Sequence, residues 1–212
     1  MSNDRSTSPL RGAGRAALAA ASLLLSAAPG IAQERVTRVE VRPLVGAYVP
    51  TGDQRDLLRD AILVGAQLGW PVHEYLAVTG SFGWAPAADK TPTFGIGGSG
   101  REEDVDLFQY DVALEGRLPD LAPSARWSTR PYAALGVGGR TYSYRDVPGV
   151  SAETNFLGFG AVGLDVAPPT RNLGLRLEVR DNVSAFKGLR GERRERTARN
   201  DVQFTAGLTF RL

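Results

Sequence analysis

Residues 201–212 read DVQFTAGLTFRL, a run in which apolar and polar side chains take strict turns. In an extended strand successive side chains point to opposite faces. Val202, Phe204, Ala206, Leu208, Phe210 and Leu212 therefore share one face, and Asp201, Gln203, Thr205, Gly207, Thr209 and Arg211 the other. The spacing predicts a strand with one apolar wall and one polar wall.

The same period of two recurs upstream. In 39–49 (VEVRPLVGAYV), Val39, Val41, Val45 and Val49 oppose Glu40, Arg42 and Tyr48; in 61–70, Ile62, Val64, Leu68 and Trp70 oppose Gln67. Residues 74–85 set Val78, Phe82 and Trp84 against Thr79 and Ser81, and 105–118 set Phe108, Tyr110, Val112 and Leu114 against Gln109, Asp111, Glu115 and Arg117. In 130–144, Ala133, Leu135 and Val137 oppose Tyr132, Arg140 and Tyr142, and in 172–185, Leu173, Leu175, Leu177 and Val179 oppose Arg176, Glu178 and Arg180. The run 154–167 changes parity, with Leu157, Phe159 and Ala161 on one face but Val162, Leu164 and Val166 on the other, which predicts a bulge near Gly160 or Gly163. Counting the opening stretch, eight strands are expected.

Connections alternate in length. Short links surround Pro71 and His73 and the segment PPTR (168–171), with a medium link at Pro119 and Pro123; between them come TGDQRDLLR, a Gly-rich acidic stretch ending at Asp104, RDVPGVSA, and the basic FKGLRGERRERTARN. Eight antiparallel strands with short turns on one rim and long polar loops on the other predict an all-β, eight-stranded, antiparallel up-and-down transmembrane barrel over residues 38–212. Ahead of it, Arg5, Arg11 and Arg15 precede the apolar run at 16–28 and the small residues Gly30 and Ala32. That order reads as a cleaved signal peptide over 1–32, leaving a short periplasmic N-terminus at 33–37, since an apolar run of 13 residues falls short of the roughly 20 that a spanning helix needs.

The chain has 25 Lys plus Arg and 23 Asp plus Glu; losing the leader removes three arginines and one aspartate and leaves 22 of each. A mature charge of zero gives no support to nucleic-acid binding. Cysteine is absent, which excludes a disulfide frame, a thiolate metal site and a lipid-attachment cysteine. No cofactor is implied.

Alternation alone also fits a soluble, lipocalin-like periplasmic barrel that binds ligand inside. The polar faces decide between the two. Glu40, Arg42, Asp111, Glu115, Arg117, Arg140, Arg176, Glu178, Arg180 and Arg211 bring both signs in near balance, as expected of an ion-pair network filling a narrow lumen. A water-exposed face carries more lysine than the two here, Lys90 and Lys187. Aromatics at strand ends, Trp84, Phe108, Tyr110 and Phe204 on one side and Trp70 and Phe210 on the other, suit two membrane interfaces.

With these residues in view, Thr205, Gly207, Phe210 and Leu212 in TAGLTFRL resemble the C-terminal assembly signature of outer-membrane barrels, departing from it in that Leu212 is not aromatic. By architecture, residues 38–212 are similar to small Gram-negative barrels of the OmpA/OmpX or OmpW type. The resemblance implies the barrel-assembly machinery as a partner during biogenesis, outer-membrane lipid and lipopolysaccharide as surroundings, and residence in the cell outer membrane as a structural, surface-contact or porin-like protein. An outer-membrane enzyme that modifies lipid resembles the same architecture and uses a histidine facing the outer leaflet. The single histidine, His73, is expected on the periplasmic rim, where a capping role fits better than a general base, so no catalytic, cofactor or metal residue is assigned. GIGGSG (95–100) lacks the strand-to-helix setting of a phosphate loop and reads as a loop tip. Lys187, Arg190, Arg193, Arg194, Arg196 and Arg199, less Glu192 and Glu195, give a local net charge of +4, a candidate contact for lipopolysaccharide phosphates or another polyanion unless a nearby acidic loop neutralises it.

Overall fold

Eight alternating segments must pair all their backbone groups, and closing on themselves leaves no free edge. In the computed structural model, which describes residues 38–90, 103–121, 127–145, 151–168, 172–186 and 197–212, they do so. The strands are β1 (Glu40–Pro50), β2 (Ala61–His73), β3 (Leu76–Asp89), β4 (Glu103–Arg117), β5 (Ser128–Tyr144), β6 (Glu153–Ala167), β7 (Leu173–Phe186) and β8 (Thr197–Arg211). Each pairs antiparallel with its sequence neighbour, and β8 returns to pair with β1, closing the barrel.

The register fixes the tilt. Stepping sideways from Glu40 through Gly69, Thr79, Ala113, Gly136, Phe159, Asn182 and Asp201 returns to β1 at Pro50, ten residues further along. Ten residues at ~3.3 Å against eight strands at ~4.8 Å correspond to a tilt of about 40°. Each residue along a strand then rises roughly 2.5 Å along the axis. The ten steps from Leu173 to Val183, whose outward side chains are all apolar except Asp181, span about 25 Å, the height of a lipid-facing band.

Burial follows the alternation. On β7, Leu173, Leu175, Leu177 and Val179 are exposed on the outer wall, while Arg176, Glu178 and Arg180 are buried in the lumen. The expected bulge in β6 is absent, because its pairing with β5 runs unbroken from Glu153 to Ala167. Leu157, Phe159 and Ala161 face inward and are buried, and Phe156, Val162 and Leu164 face outward. The parity change is thus a patch of apolar lumen, where Phe159 and Ala161 pack with Ala113 and Ala134. A register shift does occur at Pro71/His73, where β2 meets its short turn.

Inward glycines let neighbouring strands come close. A Cβ on Gly46 would stand 2.0 Å from the Phe204 carbonyl oxygen, and one on Gly163 would stand 2.3 Å from the Leu177 carbonyl oxygen and the Tyr132 hydroxyl. At both, a larger residue would have to push the neighbouring strand away.

Candidate functional site: a charged lumen under an apolar stopper

An i, i+2 pair on a strand places both side chains on one face, so Glu40/Arg42, Glu115/Arg117 and Arg176/Glu178/Arg180 each project inward together. The barrel then joins them across strands. Glu40 pairs with Arg42, with Arg117 Nη2 at 2.6 Å and with Arg211 Nε at 3.3 Å. Glu115, wholly buried, takes Arg176 Nη2 at 2.5 Å, Arg117 Nε at 2.7 Å and Arg42 Nη1 at 3.4 Å. Arg42 also donates to Gln67 Oε1 at 2.5 Å.

Arg176 continues the chain of contacts to Asp165 Oδ2 at 3.0 Å and Glu178 Oε2 at 3.3 Å, its guanidinium carbon 3.5 Å from the centre of the Tyr132 ring. Arg180 bridges Glu178 Oε1 at 3.0 Å and Asp111 Oδ2 at 2.8 Å and lies over Phe159. Gln109 Nε2 donates to Asp111 at 3.0 Å, and its Oε1 accepts from Arg140 Nη2 at 2.7 Å and Gln203 Nε2 at 2.9 Å. Arg140 ends the network on Asp201, which also accepts from Asn182 Nδ2 at 2.9 Å. One continuous path of charged and amide groups thus runs from Glu40 to Asp201, and all ten residues singled out for the lumen lie along it.

Members not singled out beforehand include Gln67, Asp201, Gln109, Gln203 and Asn182. The parity of their strands was the available signal, since each except Gln67 sits two residues, or a multiple of two, from a charged inward neighbour. A void of about 20 Å³ beside Asp111, Arg180 and Gln203 has room for roughly one water.

Above the charges sits an apolar stopper. The connection after β1 turns inward through a short 3₁₀ turn (Gly52–Gln54) instead of lying on the surface as a long polar loop. Leu58, 1% exposed, packs with Tyr48, Leu63, Ala85, Val105, Leu107 and Tyr142. Gln54 Nε2 donates to the Tyr48 hydroxyl at 2.6 Å and the Tyr142 hydroxyl at 3.4 Å. Backbone bonds from Lys90 N to Leu57 O at 2.7 Å and from Arg59 N to Ala88 O at 3.0 Å fasten the loop to β3.

The remaining candidates are placed as follows. Phe210 faces outward opposite Val41, and Thr205, Gly207 and Leu212 lie on or just beyond β8. Arg199 is a correction, being 8% exposed inside β8 and so not part of a surface basic group. β8 begins four residues before the opening stretch and takes Arg199 into the wall. Lys187, Arg190, Arg193, Arg194 and Arg196, like GIGGSG, lie outside the described residues. His73 Nδ1 accepts from the Tyr75 backbone N–H at 3.3 Å in the short turn between β2 and β3. Among the described residues no cluster of three His, Asp or Glu is arranged to hold a metal.

No curated protein matches the sequence. Among solved structures, Neisserial surface protein A is 13% identical over 82% of this chain and 97% of its own, with a TM-score of 0.58. Ail, the attachment invasion locus protein of Yersinia pestis, is 10% identical over 82% and 99%, with a TM-score of 0.39. The outer membrane enzyme PagL is 12% identical over 82% and 99%, with a TM-score of 0.36. The likeness to the Neisserial protein shows a shared fold. Residues 17–211 match the outer membrane protein beta-barrel domain, and the chain belongs to that family.

Proposed function

We propose that the chain is an integral outer-membrane protein that serves the envelope as a structural or surface-contact element, with a plugged lumen and no catalysis. The observation that carries this reading is the unbroken network from Glu40 to Asp201 beneath the Leu58 stopper. Its arginines and carboxylates neutralise one another, so among the described residues this network offers no unpaired charge to attract a solute. In planar bilayers the refolded protein is expected to give no stepwise conductance above the bare membrane. Stable open-channel steps would overturn the plugged reading.

The absence of catalysis rests on His73, whose ring accepts a backbone hydrogen bond in a short turn and has no serine or carboxylate hydrogen-bonded to it among the described residues. Lipid A recovered after overexpression should be unaltered, and acyl loss that disappears in His73→Ala would favour the lipid-modifying alternative. Export by cleavage after Ala32, long loops facing the cell exterior, recognition of the β8 signature by the assembly machinery, and contact of the basic segment with lipopolysaccharide belong to the same proposal. N-terminal sequencing of the membrane-extracted protein tests the first of these, with Gln33 expected as the first residue.

A further inference from the structure

From just above Thr129 at the short-turn rim up to the ring formed by Asp106, Thr141, Thr154 and Asn200, the described outward positions are apolar or glycine with two exceptions that carry an oxygen, Tyr110 on β4 and Asp181 on β7. Both are exposed on the wall, and among the described residues none hydrogen-bonds to either group. A carboxylate surrounded by hydrocarbon is costly and needs a partner that donates a hydrogen bond. Asp181 cannot reach the upper polar ring by stretching, because it has a single methylene and Val183 lies above it. Tyr110 is likewise held down, its ring lying across Gly139, where a Cβ would stand 2.8 Å from the ring and its hydroxyl.

The two groups are at one level. From Val112, two residues along β4 from Tyr110, the register steps through Val137 and Gly158 to Val183. Three sideways steps climb about 9 Å in a barrel tilted near 40°, and the four residues back from Val183 to Val179 descend about 10 Å. Val112 and Val179 therefore lie at nearly the same depth, and so do Tyr110 and Asp181, each two residues above them. One wall offers a donor and a wall well round the barrel an acceptor. Diagonal to Asp181 and opposite Val183, Gly158 has open space where a side chain would stand, a notch that lets a neighbour approach.

We propose that copies of this chain associate side by side in the membrane, the Tyr110 hydroxyl of one barrel donating to Asp181 of the next. The interface is head-to-tail, β4 against β6–β7, so each copy keeps one donor and one acceptor for further neighbours. A second copy is the occupant favoured, because it brings the matching donor at the matching depth. The proposal rests on the apolar wall meeting lipid and on nothing about the lumen.

The native chain contains no cysteine, which gives a clean background for cross-linking. Val112→Cys and Val179→Cys chains, carrying different tags, are expressed together and treated in the membrane with a short bifunctional thiol reagent. Mixed cross-linked dimers are expected, at least fivefold more abundant than Val112–Val112 or Val179–Val179 dimers, and reduced at least fivefold when Tyr110→Phe or Asp181→Leu is added. Absence of mixed dimers, same-site dimers of equal yield, or a yield untouched by Tyr110→Phe and Asp181→Leu would each overturn the proposal. A mobility shift between unheated and boiled samples shows that every variant is still a folded barrel, which separates loss of association from loss of the fold.

Discussion

Breaking the Arg140–Asp201 pair tests whether the lumen network holds the barrel together. Arg140 is 1% exposed and Asp201 0%, so neither partner has water to fall back on. Arg140→Leu leaves Asp201, among the described residues, with only the Asn182 amide at 2.9 Å and strips Gln109 of its guanidinium contact. Removing one side of a buried pair costs about 3–5 kcal/mol, most of it the penalty of stranding the other charge. Asp201→Leu should cost a similar amount by stranding the Arg140 guanidinium, which keeps Gln109 Oε1 and the Tyr48 face. The double replacement removes both charges and fills the space with methyl groups, so it should cost less than the sum of the singles by at least about 2 kcal/mol. Urea unfolding in detergent micelles, followed by the fluorescence of Trp70, Trp84 and Trp127, measures all three differences. Additive losses, or single losses below about 1 kcal/mol, would refute the argument that desolvated charge dominates here.

Arg176→Leu and Arg117→Leu should each lower the unfolding midpoint, with Arg176 the costlier because it alone reaches Asp165 as well as Glu115 and Glu178; unchanged melting of both would count against the network. Phe210→Asp should prevent assembly in cells yet refold in detergent almost as the parent does, since a carboxylate near an interface costs only up to about 1 kcal/mol; normal insertion in cells would show that the β8 signature is not needed. Leu58→Asp should release the loop over the mouth and expose Arg55 and Arg59 to trypsin at least tenfold faster, as burying an unpaired charge among apolar residues is strongly unfavourable; equal cleavage rates would mean that Leu58 does not hold the stopper.

Strand number and facing were legible because lipid on one side and a narrow lumen on the other enforce strict alternation, as on β7. β6 misled for the same physical reason in reverse: the lumen tolerates Leu157, Phe159 and Ala161, and nothing in one strand says which apolar set faces in. The network partners joined by β-register across four or five strands, such as Arg140 with Asp201, depend on a stagger summed round the whole barrel, to which local periodicity is blind. The inward turn of the 51–60 loop was hidden by its polar composition, since Gln54 and Leu58 are buried by what the neighbouring strands present and not by any pattern of their own.

Seven of the eight ladders join strands that follow one another along the chain, whereas the seam between β1 and β8 brings Glu40 against Arg211, 171 positions apart. Hairpins can zip up early and independently, but that seam is a single long-distance suture carrying most of the loop-closure entropy of the fold. Until it is stitched, two naked edges are the one place where a stray strand can add itself, so chaperoning this chain reduces to guarding that pair of edges.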